Sequence, residues 1–150
     1  MSLKLIFFGT PDFAVYSLNE IYKSHFTIKC VVTNPDKKSG RGRKINTSPV
    51  KNFCVENDIK TLQPESFTDS QFISKLKHFK ADLFVVVAFK KLPKLVWAIP
   101  PLGTINLHAS ILPDFRGSAP INWAIINQQN ETGITTFFIN DKIDCGKIIL

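Results

Sequence analysis

Leu3–Gly9 opens the chain as an apolar run closed by a glycine, which predicts a buried first strand. Thr10 and Pro11 follow as a cap and a first-turn proline, and Ala14, Val15, Leu18, Ile21 and Tyr22 then recur at helical spacing to about Ser24. Thr27–Thr33 reads as a second strand. Ser48-Pro49 repeats the cap-and-proline signal before a helix striped by Val50, Phe53 and Cys54 and reaching Asp58. Thr68 with Gln71 makes a capping box, and Phe72, Ile73, Leu76 and Phe79 form the inner face of the next helix. Asp82–Ala88 is apolar on both faces, the mark of a central parallel strand. Pro93–Ala98 predicts a short helix, Gly103–His108 a strand, Pro120–Asn127 a helix, and Thr132–Ile139 a strand, with another beginning at Lys147–Leu150. The alternation predicts an α/β fold: a doubly wound, mostly parallel sheet with helices on both faces. The closing run KIIL carries no terminating signal, so this is expected to be the N-terminal part of a longer chain, with an open sheet edge prone to association.

Composition narrows the class. The 150 residues suit one domain, and 44% hydrophobic residues with 13 Phe exclude disorder as the main state. No apolar run reaches the roughly 18 residues of a membrane span, and the first residues do not form a secretory signal, so a cytoplasmic protein is expected. The three cysteines are far apart and no CxxC or HxxxH spacing occurs, which argues against a disulfide framework or a zinc site.

Charge is uneven. Asn34–Lys51 holds six cations and one anion and so carries +5 of the formal +7. Its composition predicts a loop, which reads either as a follower of a phosphate backbone or as a solvated surface segment.

Ligands of open α/β sheets bind beyond the carboxyl ends of the strands, and three segments fall there. Gly9-Thr10-Pro11-Asp12 is neither GxGxxG nor a Walker loop, which argues against a nicotinamide or flavin nucleotide and against an NTPase. Asn106 and His108, two apart on a strand, project to one side with Leu107 on the other. An amide donor beside an imidazole suits a developing oxyanion, although a lone His is also a common structural residue. Asn140–Gly146 carries Asp141 and Asp144 before a turn glycine. A carboxylate near His108 would fix its tautomer and support its charge, but spacing alone favours Asp144 as a turn residue.

These residues carry a resemblance. GTPDFA at Gly9–Ala14, the NPD…GRGRK…SPVK segment at Asn34–Lys51, NLHASILPDFRGSAPINWA at Asn106–Ala124 and DKIDCGKI at Asp141–Ile148 together resemble the methionyl-tRNA formyltransferase family, in order and over essentially the whole chain. The N-x-H…S-x-L-P…R-G-x-x-P…D-x-G set is common to folate-dependent formyltransferases of this fold, and GRGRK followed by SPVK is more specific to the tRNA enzyme. The resemblance implies that Asn106, His108 and Asp144 are the catalytic trio. It implies that Ser110, Ile111, Leu112 and Pro113 line the folate site, with the pterin end near Phe89–Leu92 and the Asn140–Asp144 loop, above all Phe89, Leu92, Asn140 and Asp141. It implies that Lys37, Lys38, Arg41, Arg43 and Lys44 touch the acceptor stem of methionyl initiator tRNA. The implied donor is 10-formyltetrahydrofolate, with no metal and no nicotinamide nucleotide. The implied whole protein is a monomer with a C-terminal tRNA-binding β-barrel beyond an incomplete formyltransferase domain in residues 1–150. Two departures stand out: Cys145 replaces the usual Thr of D-T-G, and AFKKLP at Ala88–Pro93 lacks the Gly of AYGxxLP and is shorter. Two alternatives remain. A phosphoribosylglycinamide formyltransferase would use the same trio on a small phosphorylated amine, with little use for a basic loop. A folded fragment would turn nothing over.

Overall fold

A computed structural model describes residues 2–39 and 44–150. The chain runs β1 (Lys4–Gly9), α1 (Asp12–Lys23), β2 (Thr27–Val32), β3 (Lys37–Ser39), β4 (Lys44–Asn46), α2 (Pro49–Glu56), β5 (Thr61–Leu62), α3 (Ser70–His78), β6 (Leu83–Val87), α4 (Lys94–Trp97), β7 (Thr104–His108), α5 (Pro120–Ile126) and β8 (Thr135–Phe138). One sheet has the order β5-β2-β1-β6-β7-β8. Its pairings are parallel except between β7 and β8. The doubly wound, mostly parallel fold read from the sequence is therefore present. Among the described residues, no helix is long and apolar enough to cross a membrane.

The period of two in β1 sorts its side chains between two cores. Leu5 and Phe7 pack with Ala14 and Leu18 of α1 and with Val50 and Cys54 of α2. Ile6 and Phe8 pack on the opposite face with Phe72 and Leu76 of α3 and Val96 of α4. Gly9 ends β1 because nothing larger fits: a Cβ there would lie 2.7 Å from the Ala14 Cβ and 2.7 Å from the Phe7 ring. That contact seats α1 against the sheet.

Local chemistry explains where the expected elements shift. Ser48 caps α2 as its position implies, its hydroxyl accepting from the Lys51 N–H at 3.1 Å. The cap of α3 is Asp69, not Thr68: its carboxylate accepts from the N–H groups of Gln71 and Phe72, while the Thr68 and Ser66 hydroxyls bond each other. A carboxylate reaches two open amides at once and also complements the helix dipole. Thr10 caps nothing, because the α1 cap position is Pro11 and the Thr10 hydroxyl is buried without a partner.

The basic segment also departs from expectation. It is not a plain loop, since β3 and β4 pair antiparallel with Lys37 opposite Asn46. Its root is tied down by Asp36, which accepts from the Lys51 ammonium and from the Gln63 amide at 2.8 Å. Those two donors hold the Asp36 carboxyl below the ordinary carboxylate range. At the far edge, residues 147–150 lie along β8 without forming a full strand, joined by the Phe137–Ile148 bridge.

Candidate active site

The order of the sheet reverses at β1, whose neighbours are β2 and β6. The carboxyl ends of β6 and β7 open beside that point onto a cavity of about 650 Å³. A volume of this size suits a small-molecule or cofactor-sized ligand. Val86, Ala88, Phe89 and Leu92 form one wall, Asn106, His108 and Ala109 another, and Asn140, Ile143 and Asp144 a third. Phe89 is held by an edge contact to Phe8 and a tilted contact to Phe67, with ring centroids 5.8 and 5.7 Å apart.

β7 delivers Asn106 and His108 to this wall; Leu107 packs against the α1–α2 core, as alternation along a strand requires, and also borders the cavity. His108 is buried, and its Nε2 lies 2.9 Å from the Phe115 carbonyl. A carbonyl can only accept, so Nε2 carries a hydrogen and the neutral ring leaves Nδ1 unprotonated. Nδ1 faces the Asp144 carboxylate at 3.9 Å. A second proton on the ring would make that face an ion pair, at a separation too long for a full hydrogen bond.

Asp144 is fixed from two directions. Its Oδ2 accepts from the Gly117 N–H at 2.7 Å, and its carbonyl accepts from the Arg116 Nε–H at 3.0 Å. Its φ is +48°, a sparsely populated left-handed conformation that Asp enters more readily than most L-residues. Gly146 holds the other side of the loop, since a Cβ there would fall 1.6 Å from the Phe138 carbonyl oxygen.

Backbone strain concentrates here. Of the seven non-glycine residues with positive φ among those described, Asp58, Lys80 and Gln128 follow the C-caps of α2, α3 and α5. That is the usual place for a left-handed residue. The other four are Ala88, Phe115, Ala119 and Asp144. Three of them line the cavity, and the Phe115 carbonyl holds His108. Strained residues held by their surroundings cluster at working sites.

The expected site residues divide. The cavity brings together Asn106, His108, Asp144, Phe89, Leu92 and Asn140. Asn140 spends its amide on its own loop, accepting from the Lys142 N–H and donating to the Cys145 carbonyl. Asp141 lies outside the lining and faces Lys94 at 3.5 Å. Ser110, Ile111, Leu112 and Pro113 are also outside it. Ser110 is fully buried with its hydroxyl given to the Asp114 carbonyl, and the segment is pinned through Thr135, which donates to the Ser110 carbonyl and accepts from the Leu112 N–H. Ile111 projects to solvent. In the basic hairpin Lys37 is exposed, whereas Arg41 and Arg43 lie outside the described residues; Lys38 and Lys44 are placed by backbone pairing alone. Sequence reasoning missed Phe13 in the lining and the backbone groups of Phe115 and Gly117. The FRG within the long loop was the available signal, but main-chain donors and acceptors leave no residue signature.

The chain is 52% identical over 147 residues to a methionyl-tRNA formyltransferase of Bacteroides thetaiotaomicron, covering 98% of this chain and 46% of that protein. A relative of the same name from Flavobacterium johnsoniae is 53% identical over 148 residues, with 99% and 47% covered. The chain thus spans about half the length of the curated relatives it matches. A solved phosphoribosylglycinamide formyltransferase from Bacillus halodurans superposes with a TM-score of 0.77 at 18% identity, over 98% of this chain and 77% of that one. A formyltetrahydrofolate deformylase from Pseudomonas syringae gives 0.75 at 19%, over 100% and 50%. At these identities the likeness is one of fold. The description of the formyl transferase family matches residues 3–150, and the chain belongs to that family.

Proposed function

We propose that this chain carries the catalytic part of an enzyme moving the formyl group of 10-formyltetrahydrofolate to the α-amine of methionyl initiator tRNA. The observation that carries the reading is the meeting of Asn106, His108 and Asp144 on one cavity, with the His108 ring orientation set by the Phe115 carbonyl. Relatives of more than 50% identity that bear the name methionyl-tRNA formyltransferase support the choice of acceptor.

The neutral amine attacks the formyl carbon, a C–N bond forms, and the carbonyl oxygen gains charge. The Asn106 amide and the Nδ1–H of charged His108 donate to that oxygen. Because Asp144 sits 3.9 Å from Nδ1, the N–H has room for a second acceptor while the carboxylate balances the ring charge. Asp144 helps take the proton released by the amine. The tetrahedral adduct collapses with cleavage of the bond to N10, which takes up the proton lost by the amine and leaves as tetrahydrofolate. The Phe89, Leu92 and Val86 side chains suit the flat pterin of the donor.

The acceptor is tested by offering the same enzyme methionyl initiator tRNA and phosphoribosylglycinamide. The reading expects transfer to the tRNA, with binding that weakens steeply as salt rises. Replacing Arg41, Arg43 and Lys44 together should flatten that slope by roughly 0.7–0.9 for each phosphate no longer neutralised. Preference for the small amine, or a slope unchanged in the triple variant, would overturn the assignment.

A further inference from the structure

Phe115, Arg116 and Gly117 are consecutive, and each holds one part of the His108–Asp144 pair. The Phe115 carbonyl accepts from His108 Nε2, the Gly117 N–H donates to the Asp144 carboxylate, and Arg116 Nε donates to the Asp144 carbonyl. Two of these contacts are main-chain groups that accompany any residue. The third depends on a side chain, and Arg116 is exposed, so the bond is not a by-product of core packing. Asp144 needs such a tie, because its left-handed backbone relaxes unless its surroundings over-determine it.

We infer that Arg116 is a positioning residue: its Nε–H clamps the Asp144 backbone in the left-handed state and thereby keeps the carboxylate on His108. The inference rests on the formyl-transfer reading and deepens it. Gly117 N–H fixes one oxygen of the carboxylate, but a side chain can pivot about that single bond. Fixing the carbonyl of the same residue removes the pivot. With both ties in place the carboxylate is confined to the face of Nδ1. Without the Arg116 tie, Asp144 can leave positive φ and take its carboxylate out of range.

The test is Arg116→Ala in kinetics and in a probe of the loop. Misplacing a catalytic group by about 1 Å can cost on the order of 100-fold. Turnover should fall about 10- to 100-fold, with KM for the formyl donor changed by less than about twofold. In an Asp144→Ala background the same substitution should cost nothing further, since the clamp acts only through Asp144. The loop is read independently of activity by a trifluoromethyl tag on Cys145, the exposed cysteine beside Asp144; Cys30 and Cys54 are buried. The fluorine line should narrow in Arg116→Ala as the loop loosens, with the unfolding midpoint unchanged. An unchanged line overturns the inference whatever the rate does, as does a loss that adds in full to Asp144→Ala. If the wild type and His108→Ala are equally active or equally inert, the formyl-transfer reading has failed instead, and the fluorine line still decides the clamp.

Discussion

Residues 2–110 and residues 111–150 are built on different terms. In the first region β1, β2 and β6 are covered on both faces, and Ile6, Phe7, Phe8, Val31, Val32 and Phe84 have no exposed surface. In the second, the buried hydrophobics are Leu112, Ala124 and Phe137. Ile121, Trp123, Ile125, Ile126, Ile134 and Ile149 all stand exposed. Three of the four strained residues at the site, Phe115, Ala119 and Asp144, also belong to the second region. The contrast assigns the two jobs. Interlocked side chains in the sheet supply stability and set the position of β7. Loops held by a few hydrogen bonds bring the remaining groups to it, as functional loops on rigid scaffolds generally do.

The contrast breaks if a core deletion in the first region proves harmless. Phe84 is fully buried and packs on Phe8 at a tilt, with ring centroids 5.2 Å apart. Phe84→Ala should destabilise the chain by about 3–5 kcal/mol, read from denaturant unfolding. A loss below about 1 kcal/mol would mean that the two-faced core is not the main support.

The cysteines sharpen the comparison chemically. Burial pushes the Cys30 and Cys54 thiols from 9.0 up to about 12, whereas Cys145 is exposed on its loop. A thiol reagent should label Cys145 in the native protein and the other two only on unfolding. The unfolded thiols ionise near 9.0 and the folded ones near 12, so this contribution is intact below pH 9 and is lost progressively towards pH 12. Stability that rises across that interval would contradict the burial of both thiols. At the small end, Ile125 is 70% exposed on α5. Ile125→Ala should change stability by no more than about 0.5 kcal/mol. A larger loss would show that the α5 face packs more tightly than its exposure indicates.

Much of the first region was legible because its signals are side-chain patterns. The unbroken apolar run of β6 marks a central strand, and Ser48-Pro49 marks the start of α2. The i, i+2 placement of Asn106 and His108 also follows from strand geometry alone. The misses have physical reasons. Thr68 and Asp69 are adjacent and both can cap, and only the geometry of the two open amides favours the carboxylate. β3 and β4 carry too few apolar residues to betray a hairpin, so their composition resembles a loop. The partnership of Asp144 with His108 crosses 35 intervening residues and is made by backbone bonds from Phe115–Gly117, which spacing cannot encode. Ser110 and Leu112, expected as ligand contacts, lie outside the cavity lining in a pinned, buried turn.

The most direct test of the division between scaffold and chemistry is His108→Ala, measured for formyl transfer to methionyl initiator tRNA and for unfolding on the same sample. Losing one oxyanion donor typically lowers turnover by about 10²–10³. The account predicts a loss at least that large with the sheet still folded. A near-normal rate, with chemistry limiting, would contradict it.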